Sequence, residues 1–366
     1  MSLFRRFFDR LPVRPVSSDG HLHLLSQEEL SNVRRCHAVA VAIAAGLSVM
    51  GFLMYFLPVY SAPQLFPSVQ LTVFGSEVMF PWAETLWGVV LMVVEIYLLV
   101  LLNLWGVHTI AVETGLMGAH NKAEVAESLM DIGLENKHRG LLQYGIDPFL
   151  GLNPTLLFVV NLLLRLKGWL GSKILRYAVQ RLLGRFAVRE VLDFVGMPIY
   201  MAINAWSTHA VLREATVIIM GQKLIEHLGR RLPAELVRTA EERDLLFDTF
   251  RFIAVSKRDF HQNHFLLTKT LIEKYAIEVE TAKGSLDDYL ARLAAAPGPL
   301  RRACELVIVI GFVLDGQLSW RERRRIREFA GRGVFRHTEA EVRRWCRDFV
   351  RGAGIEELLT RQLGAA

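Results

Sequence analysis

The sequence predicts an all-α integral membrane protein. Two N-terminal transmembrane helices are expected first, then an amphipathic or re-entrant membrane hairpin, then a cytosolic helical bundle. Three observations lead there. The 366 residues are 52 % hydrophobic yet 22 % charged, with a mean hydropathy of +0.28. That is too apolar for an ordinary soluble protein and too charged for a bundle of spans alone. The two kinds of residue also separate along the chain, with the long apolar runs in roughly the first 110 positions. Finally, the net charge of +6 is uneven, since the segment 165–189 carries seven bases and no acid.

Residues 1–36 read as a basic cytosolic segment. Phe4, Phe7 and Phe8 share its start with Arg5, Arg6, Asp9 and Arg10, a short amphipathic stretch with no small-residue cleavage site after it.

Residues 37–112 hold both spans. No Asp, Glu, Lys or Arg occurs from Cys36 to Ser76. The first span covers 37–59 and the second about 84–111, each long enough for a hydrocarbon layer ~30 Å thick. A soluble core helix can be as apolar, but rarely for so long. Arg5, Arg6, Arg10, Arg14, Arg34 and Arg35 precede the first span, and the 61–83 loop has no Lys or Arg. Bases stay in the cytosol, so the N-terminus is expected there and the loop outside. Phe66, Phe74, Phe80 and Trp82, with Pro63, Pro67 and Pro81, suit a loop lying against the outer leaflet.

Glu95 falls inside the second span. An ionised carboxylate facing lipid is costly, so it is expected to be protonated or to face protein. With Asn103 and His108 it is a candidate proton or cation site. The plainer reading is a protonated or paired carboxylate that locks helix packing.

Residues 113–148 read as a cytosolic connector and 149–222 as the hairpin. Its apolar arms, 149–164 and 191–221, flank Arg165, Lys167, Lys173, Arg176, Arg181, Arg185 and Arg189. If both arms crossed, those bases would lie outside, against the positive-inside tendency. Lys173, Arg176, Arg181, Arg185 and Arg189 alternate with Ile174, Leu175, Leu182, Leu183 and Phe186, giving a cationic face for anionic headgroups. Two further spans are the competing arrangement. Both leave the C-terminus in the cytosol. The run Phe194-Val195-Gly196-Met197-Pro198-Ile199-Tyr200, with Ile203-Asn204-Ala205-Trp206 and Ala215, resembles the Pro–Gly–Asn hydrophobic helix of EcsC-type bacterial proteins. That resemblance, over about 190–221, implies membrane association without known catalytic residues.

Residues 223–366 read as a soluble helical domain. A helix is expected from Ala234 after Pro233, with Glu235, Glu241 and Glu242 early in it and Leu245, Leu246, Phe250 and Ile253 at helical spacing. Others run through Leu266–Tyr275, Leu306–Leu314 and 320–331, with a break at Ala295-Ala296-Pro297-Gly298-Pro299. The joint Leu314-Asp315-Gly316-Gln317-Leu318-Ser319-Trp320-Arg321-Glu322 follows the apolar run from Ile308. An apolar helix, Asp-Gly, a small polar residue and a Glu-headed charged helix resemble the TerB (tellurite-resistance-type) family. The resemblance extends over about 235–360 and implies an all-α bundle in stress or membrane-associated assemblies, with no known reaction.

Read from the residues, Gly316 permits a left-handed turn. Ser319 and Glu322 make a capping box for the next helix. A second reading gives Asp315 and Glu322 to a divalent cation, but the other loop positions, Gly311 and Val313, lack side-chain oxygens. His261 and His264, beside Asp259, have a spacing that can hold a metal or simply cap a helix. His21 and His23 are a further, sparser pair. Cys36, Cys304 and Cys346 are too few and scattered for a disulfide framework and fit a reducing compartment.

No phosphate loop, nucleophile elbow, zinc-finger spacing or kinase set occurs, nor a stacking module for nucleic acid. The expectation is therefore a non-enzymatic, multi-pass protein of the cytoplasmic (inner) membrane. Its partners would be the lipid bilayer, anionic headgroups, and a protein partner or another copy of itself. It would need no cofactor. The alternative is an ion channel or transporter component using Glu95 and the hairpin's polar residues.

Overall fold

In a computed structural model of the full chain, the described residues are 2–13, 25–73, 76–117, 188–257, 261–277, 286–331, 333, 335–352 and 355–363. The segment with Lys173, Arg176, Arg181 and Arg185, most of the connector, Asp259, and the pair His21 and His23 lie outside them. The chain forms two units. One gathers 1–13, 33–110 and 162–213; the other gathers 14–32, 111–161 and 214–366.

The first unit is built on three long helices. After α1 (Ser2–Arg10) comes α2 (Gln27–Ser61), and α3 (Trp82–Glu113) follows the connecting loop. Both α2 and α3 are long and apolar enough to cross a membrane. Much of their apolar surface faces outward: Met50 and Val93 are each 58 % exposed and Leu57 is 61 % exposed. The third is α4 (Val188–Arg231), whose residues to Arg213 belong to this unit. The loop between α2 and α3 is more ordered than an all-α reading anticipates. A 3₁₀ turn at Pro63–Leu65 leads into β1 (Val69–Val73) and β2 (Ser76–Phe80), an antiparallel hairpin pairing Val69 with Phe80 and Val73 with Ser76. Val69, Val73 and Val78 supply the β-branched residues that favour strands.

Pro58 sits inside α2 and has no N–H for the carbonyl of Met54 one turn back. The indole Nε1–H of Trp87 in α3 donates to that carbonyl at 3.1 Å. Tyr55 adds a second clasp, its hydroxyl donating to Glu84 Oε1 at 2.8 Å. A Cβ on Gly88 would lie 3.2 Å from the Tyr55 ring, so only glycine leaves the ring its present room.

The second unit is a helical bundle. Its elements are the end of α4, then α5 (Ala240–Lys257), α6 (Gln262–Tyr275), α7 (Leu286–Ala295), α8 (Gly298–Val313), α9 (Trp320–Gly331), α10 (Glu339–Val350) and α11 (Glu356–Leu363). Helix α8 is the axis: every residue from Ala303 to Val313 is buried, and α5, α7, α10 and α11 pack around it. A helix apolar on all sides is stable only in that central place. The helix expected from Ala234 begins instead at Ala240. Ala234–Leu236 make only a 3₁₀ turn, and Val237 is extended. Thr239 stops the helix extending further back, its Oγ1 accepting the Glu242 N–H at 3.2 Å while Glu242 Oε2 accepts the Thr239 N–H at 3.0 Å. The apolar arm and the helical domain also share one continuous helix: α4 runs through position 223 without a break.

Trp87→Phe should destabilise the folded chain by about 1 kcal/mol, the worth of one hydrogen bond. Pro58→Ala restores the helical donor to Met54, so the Trp87→Phe penalty should shrink in that background. Unfolding of the four proteins of this double-mutant cycle measures the coupling, and strictly additive effects would refute the Met54–Trp87 link.

Candidate functional site

Two polar constellations stand out, a part-buried one in the first unit and a buried one in the second. In the first, α2, α3 and α4 each contribute one polar side chain to an apolar setting. Glu95 Oε1 accepts from Asn204 Nδ2 at 2.7 Å, and the same amide nitrogen donates to Ser48 Oγ at 2.7 Å. Ser48 Oγ lies 3.4 Å from both Glu95 Oε1 and its own helix's Ala44 carbonyl. Gly51 lies beside the carboxylate, where a Cβ would be in ordinary contact with Glu95 Oε2 at 3.5 Å. Glu95 thus faces protein. Asn103 and His108 are not its partners, because at 1.5 Å per residue they lie about 12 Å and about 20 Å further along α3. The His108 ring meets Phe8 of α1 edge-on at 5.1 Å, and Asn103 Oδ1 is buried without a hydrogen bond among the described residues.

The same contacts orient α4. Asn204 meets Ser48 and Glu95, the His209 ring lies 6.0 Å from that of His37, and Leu212 fills the space beside Gly106. Residues 204–212 therefore run along α2 and α3. The start of α4, which holds Arg189, is described here in its backbone only.

The second constellation sits where α8 ends. Its last carbonyls have no partner within the helix and are buried, so donors must come from elsewhere. Leu314 N–H donates to Ile310 O at 2.9 Å and Gly316 N–H to Val313 O at 2.8 Å. His264 Nε2 lies 2.6 Å from Gly311 O, Cys346 Sγ 3.6 Å from Phe312 O, and Asn263 Nδ2 donates to Leu314 O at 2.8 Å. Gly316 takes φ +66°, and a Cβ there would overlap Val350.

Asp315 and Glu322 come together across this joint, around an ammonium. Lys257, the last residue of α5, places Nζ 2.5 Å from Asp315 Oδ2 and 2.7 Å from Glu322 Oε1, with its side chain 1 % exposed. Each carboxylate uses its other oxygen on the joint itself. Asp315 Oδ1 accepts the Gln317 N–H at 3.1 Å, and Glu322 Oε2 accepts the Ser319 N–H at 2.5 Å. Ser319 Oγ accepts the Glu322 N–H at 3.3 Å, completing the box. Burial pulls the Lys257 pKa down, but Asp315 and Glu322 outweigh it and hold it above its ordinary value. Lys257 thus supplies the cation that the metal reading assigns to a divalent ion. Among the described residues no group of three His, Cys, Asp or Glu converges for a metal.

His261 and His264 are a helix cap. His261 Nδ1 accepts the Asn263 N–H at 3.2 Å, and His264 Nδ1 accepts the His261 N–H at 3.2 Å. His264 must therefore be neutral with its proton on Nε2, directed to Gly311 O. Burial, then the nearby Lys257 charge, lowers its pKa to about 3. The three cysteines are buried and are not joined in disulfides; burial pushes Cys304 and Cys346 up to about 12, so neither is a thiolate at neutral pH.

Sequence reading missed Lys257 and Ser48 as site residues, and grouped Asn204 with the hairpin's polar residues without pairing it to Glu95, because the partners are far apart along the chain. Comparison with known families, curated proteins and solved structures finds no match to this chain.

Lys257→Met should cost about 3 kcal/mol, because it leaves the buried Glu322 and the half-buried Asp315 carboxylates without their cation. Calcium should then raise the melting temperature of this variant and leave that of the parent unchanged. A calcium-dependent rise in the parent, lost in Asp315→Asn, would transfer the two carboxylates to a metal.

The His264 shift sets an acid limit. The unfolded imidazole titrates at 6.5 and the folded one at about 3, so between them only the unfolded chain takes up the proton. Stability held above pH 6.5 is lost as pH falls toward 3, by about 1.4 kcal/mol per unit of pKa difference. Melting temperatures from pH 7.5 down to 4.5 should fall in the parent and change less in His264→Gln. Parallel curves would remove His264 from the account.

Proposed function

We propose that the chain is a non-enzymatic, bacterial-type protein of the cytoplasmic membrane. In this reading α2 and α3 cross the bilayer and both termini lie in the cytosol. The C-terminal bundle, the TerB-like part, docks a protein partner or senses stress at the inner leaflet. The observation that carries the membrane part is the outward-facing apolar surface of α2 and α3, combined with an inward-facing Glu95. Exposed Met, Leu and Val side chains in a continuous belt are unfavourable in water and neutral in lipid. A carboxylate turned to Asn204 and Ser48 suits the same surroundings, since lipid offers it no partner. The docking part rests on the resemblance at 308–322.

The Glu95–Asn204–Ser48 cluster favours one second reading, an ion pathway along the three helices. It also favours α4 entering the apolar layer beside α2 and α3 rather than resting on the leaflet.

A single Cys placed in the 61–83 loop, in a background lacking the native three, should react with an impermeant thiol reagent in intact cells; labelling only after lysis overturns the topology. Liposomes carrying the purified chain should leak protons and cations no faster than those carrying Glu95→Gln. A leak lost in that variant establishes the pathway instead.

A further inference from the structure

Helix α9 has two faces of opposite character. Ile326, Phe329 and Glu322 are buried against the bundle. The other face carries Arg321, Arg324 and Arg325 beside Trp320, whose indole is 61 % exposed. With Val255, Ser256 and Glu328 these residues line an open groove of about 330 Å³. Among the described residues of that lining, Glu328 is the only acid, against three arginines. Glu322, the other acid of α9, is committed to Lys257 and to the Ser319 N–H.

We propose that this groove is a docking surface for anionic phospholipid headgroups, by which the C-terminal bundle holds itself to the bilayer. The inference rests on the membrane reading above and adds a second point of attachment to it. Guanidinium groups pair with phosphate through parallel N–H···O bonds. Indole prefers the headgroup level of a bilayer, where its ring is sheltered and its N–H stays wet. An arginine cluster with one exposed Trp is therefore matched to a lipid interface. An acidic peptide would use the arginines and leave the indole without a role. Each exposed base near an anionic surface contributes about five-fold in affinity, so three act as a useful hold only on a chain already tethered nearby.

The full chain, assembled into nanodiscs of phosphatidylcholine with or without phosphatidylglycerol, tests this. Because the sequence has 7 Trp, the Trp320 signal is taken as the parent minus Trp320→Phe. That component should be quenched by acrylamide in phosphatidylcholine discs and shielded when phosphatidylglycerol is present. Rising salt should restore quenching. Arg321→Gln, Arg324→Gln and Arg325→Gln should each raise the phosphatidylglycerol content needed for half-shielding, by about five-fold in apparent affinity, and together should abolish shielding. All three side chains are surface groups, and an unchanged melting temperature verifies that the variants fold. Equal shielding in both discs, or none in either, overturns the proposal. Shielding by inorganic phosphate in phosphatidylcholine discs overturns it in favour of a soluble anion, and shielding by an acidic peptide in favour of a protein partner. Retention of the chain in discs after alkaline washing is scored separately, so failure of membrane anchoring is distinguished from failure of the groove.

Discussion

The ammonium of Lys257 is almost wholly removed from water, and the joint between α8 and α9 is arranged to compensate that loss. Two carboxylates reach it from one side, and each is held in place by a backbone N–H of the joint. Glu322 therefore does two things at once: one oxygen caps α9 and the other pairs Lys257. The end of α8 adds to the attraction, because the C-terminus of a helix carries partial negative charge. Three helices are fixed by this one cation. Removing Lys257 would leave both carboxylates without their cation, which is costlier than losing a surface ion pair.

The first unit obeys the same constraint with different groups. There the polar atoms to be satisfied are a carbonyl freed by Pro58 and a carboxylate in mid-helix. Trp87 answers the first and Asn204 with Ser48 the second. Each solution joins two or three helices, so satisfaction of polar groups sets the packing partners that apolar contact alone would leave undetermined. Small residues then allow the approach: Gly88 beside Tyr55 and Gly106 beside Leu212.

Local signals in the sequence were informative. Long apolar runs predict α2 and α3, the Ala295–Pro299 break marks the start of α8, and the Asp-Gly-Gln-Leu-Ser joint specifies its own turn and cap. The Ser/Thr-x-x-Glu pattern was legible in more places than were read: Ser26 with Glu29, Thr239 with Glu242 and Thr338 with Glu341 form boxes like that of Ser319 with Glu322. Thr239 as a cap places the start of α5 six residues later than Pro233 suggests. Long-range pairing was not legible. Glu95 announced a need for a partner, but Asn204 lies 109 positions away, and the Lys257 partner Asp315 lies 58 away. A two-stranded hairpin within an apolar loop also escaped, because aromatic residues there suit a lipid surface as well as a strand.

The two histidines show why residue type alone misleads at such a joint. Spaced three apart, His261 and His264 match a metal pair, yet both Nδ1 atoms already accept backbone N–H groups at the start of α6. A metal would have to displace one of those bonds or take Nε2 of His264 from Gly311 O, reopening the buried end of α8. Lys257 argues in the same direction, since a cationic neighbour disfavours added positive charge on His264. The donors His264 and Asn263 are thus spent on the carbonyls of a helix 47 and 51 residues away. The short α6 cap is where the chain supplies what α8 lacks, so the residues that resemble a binding site are those that close the core.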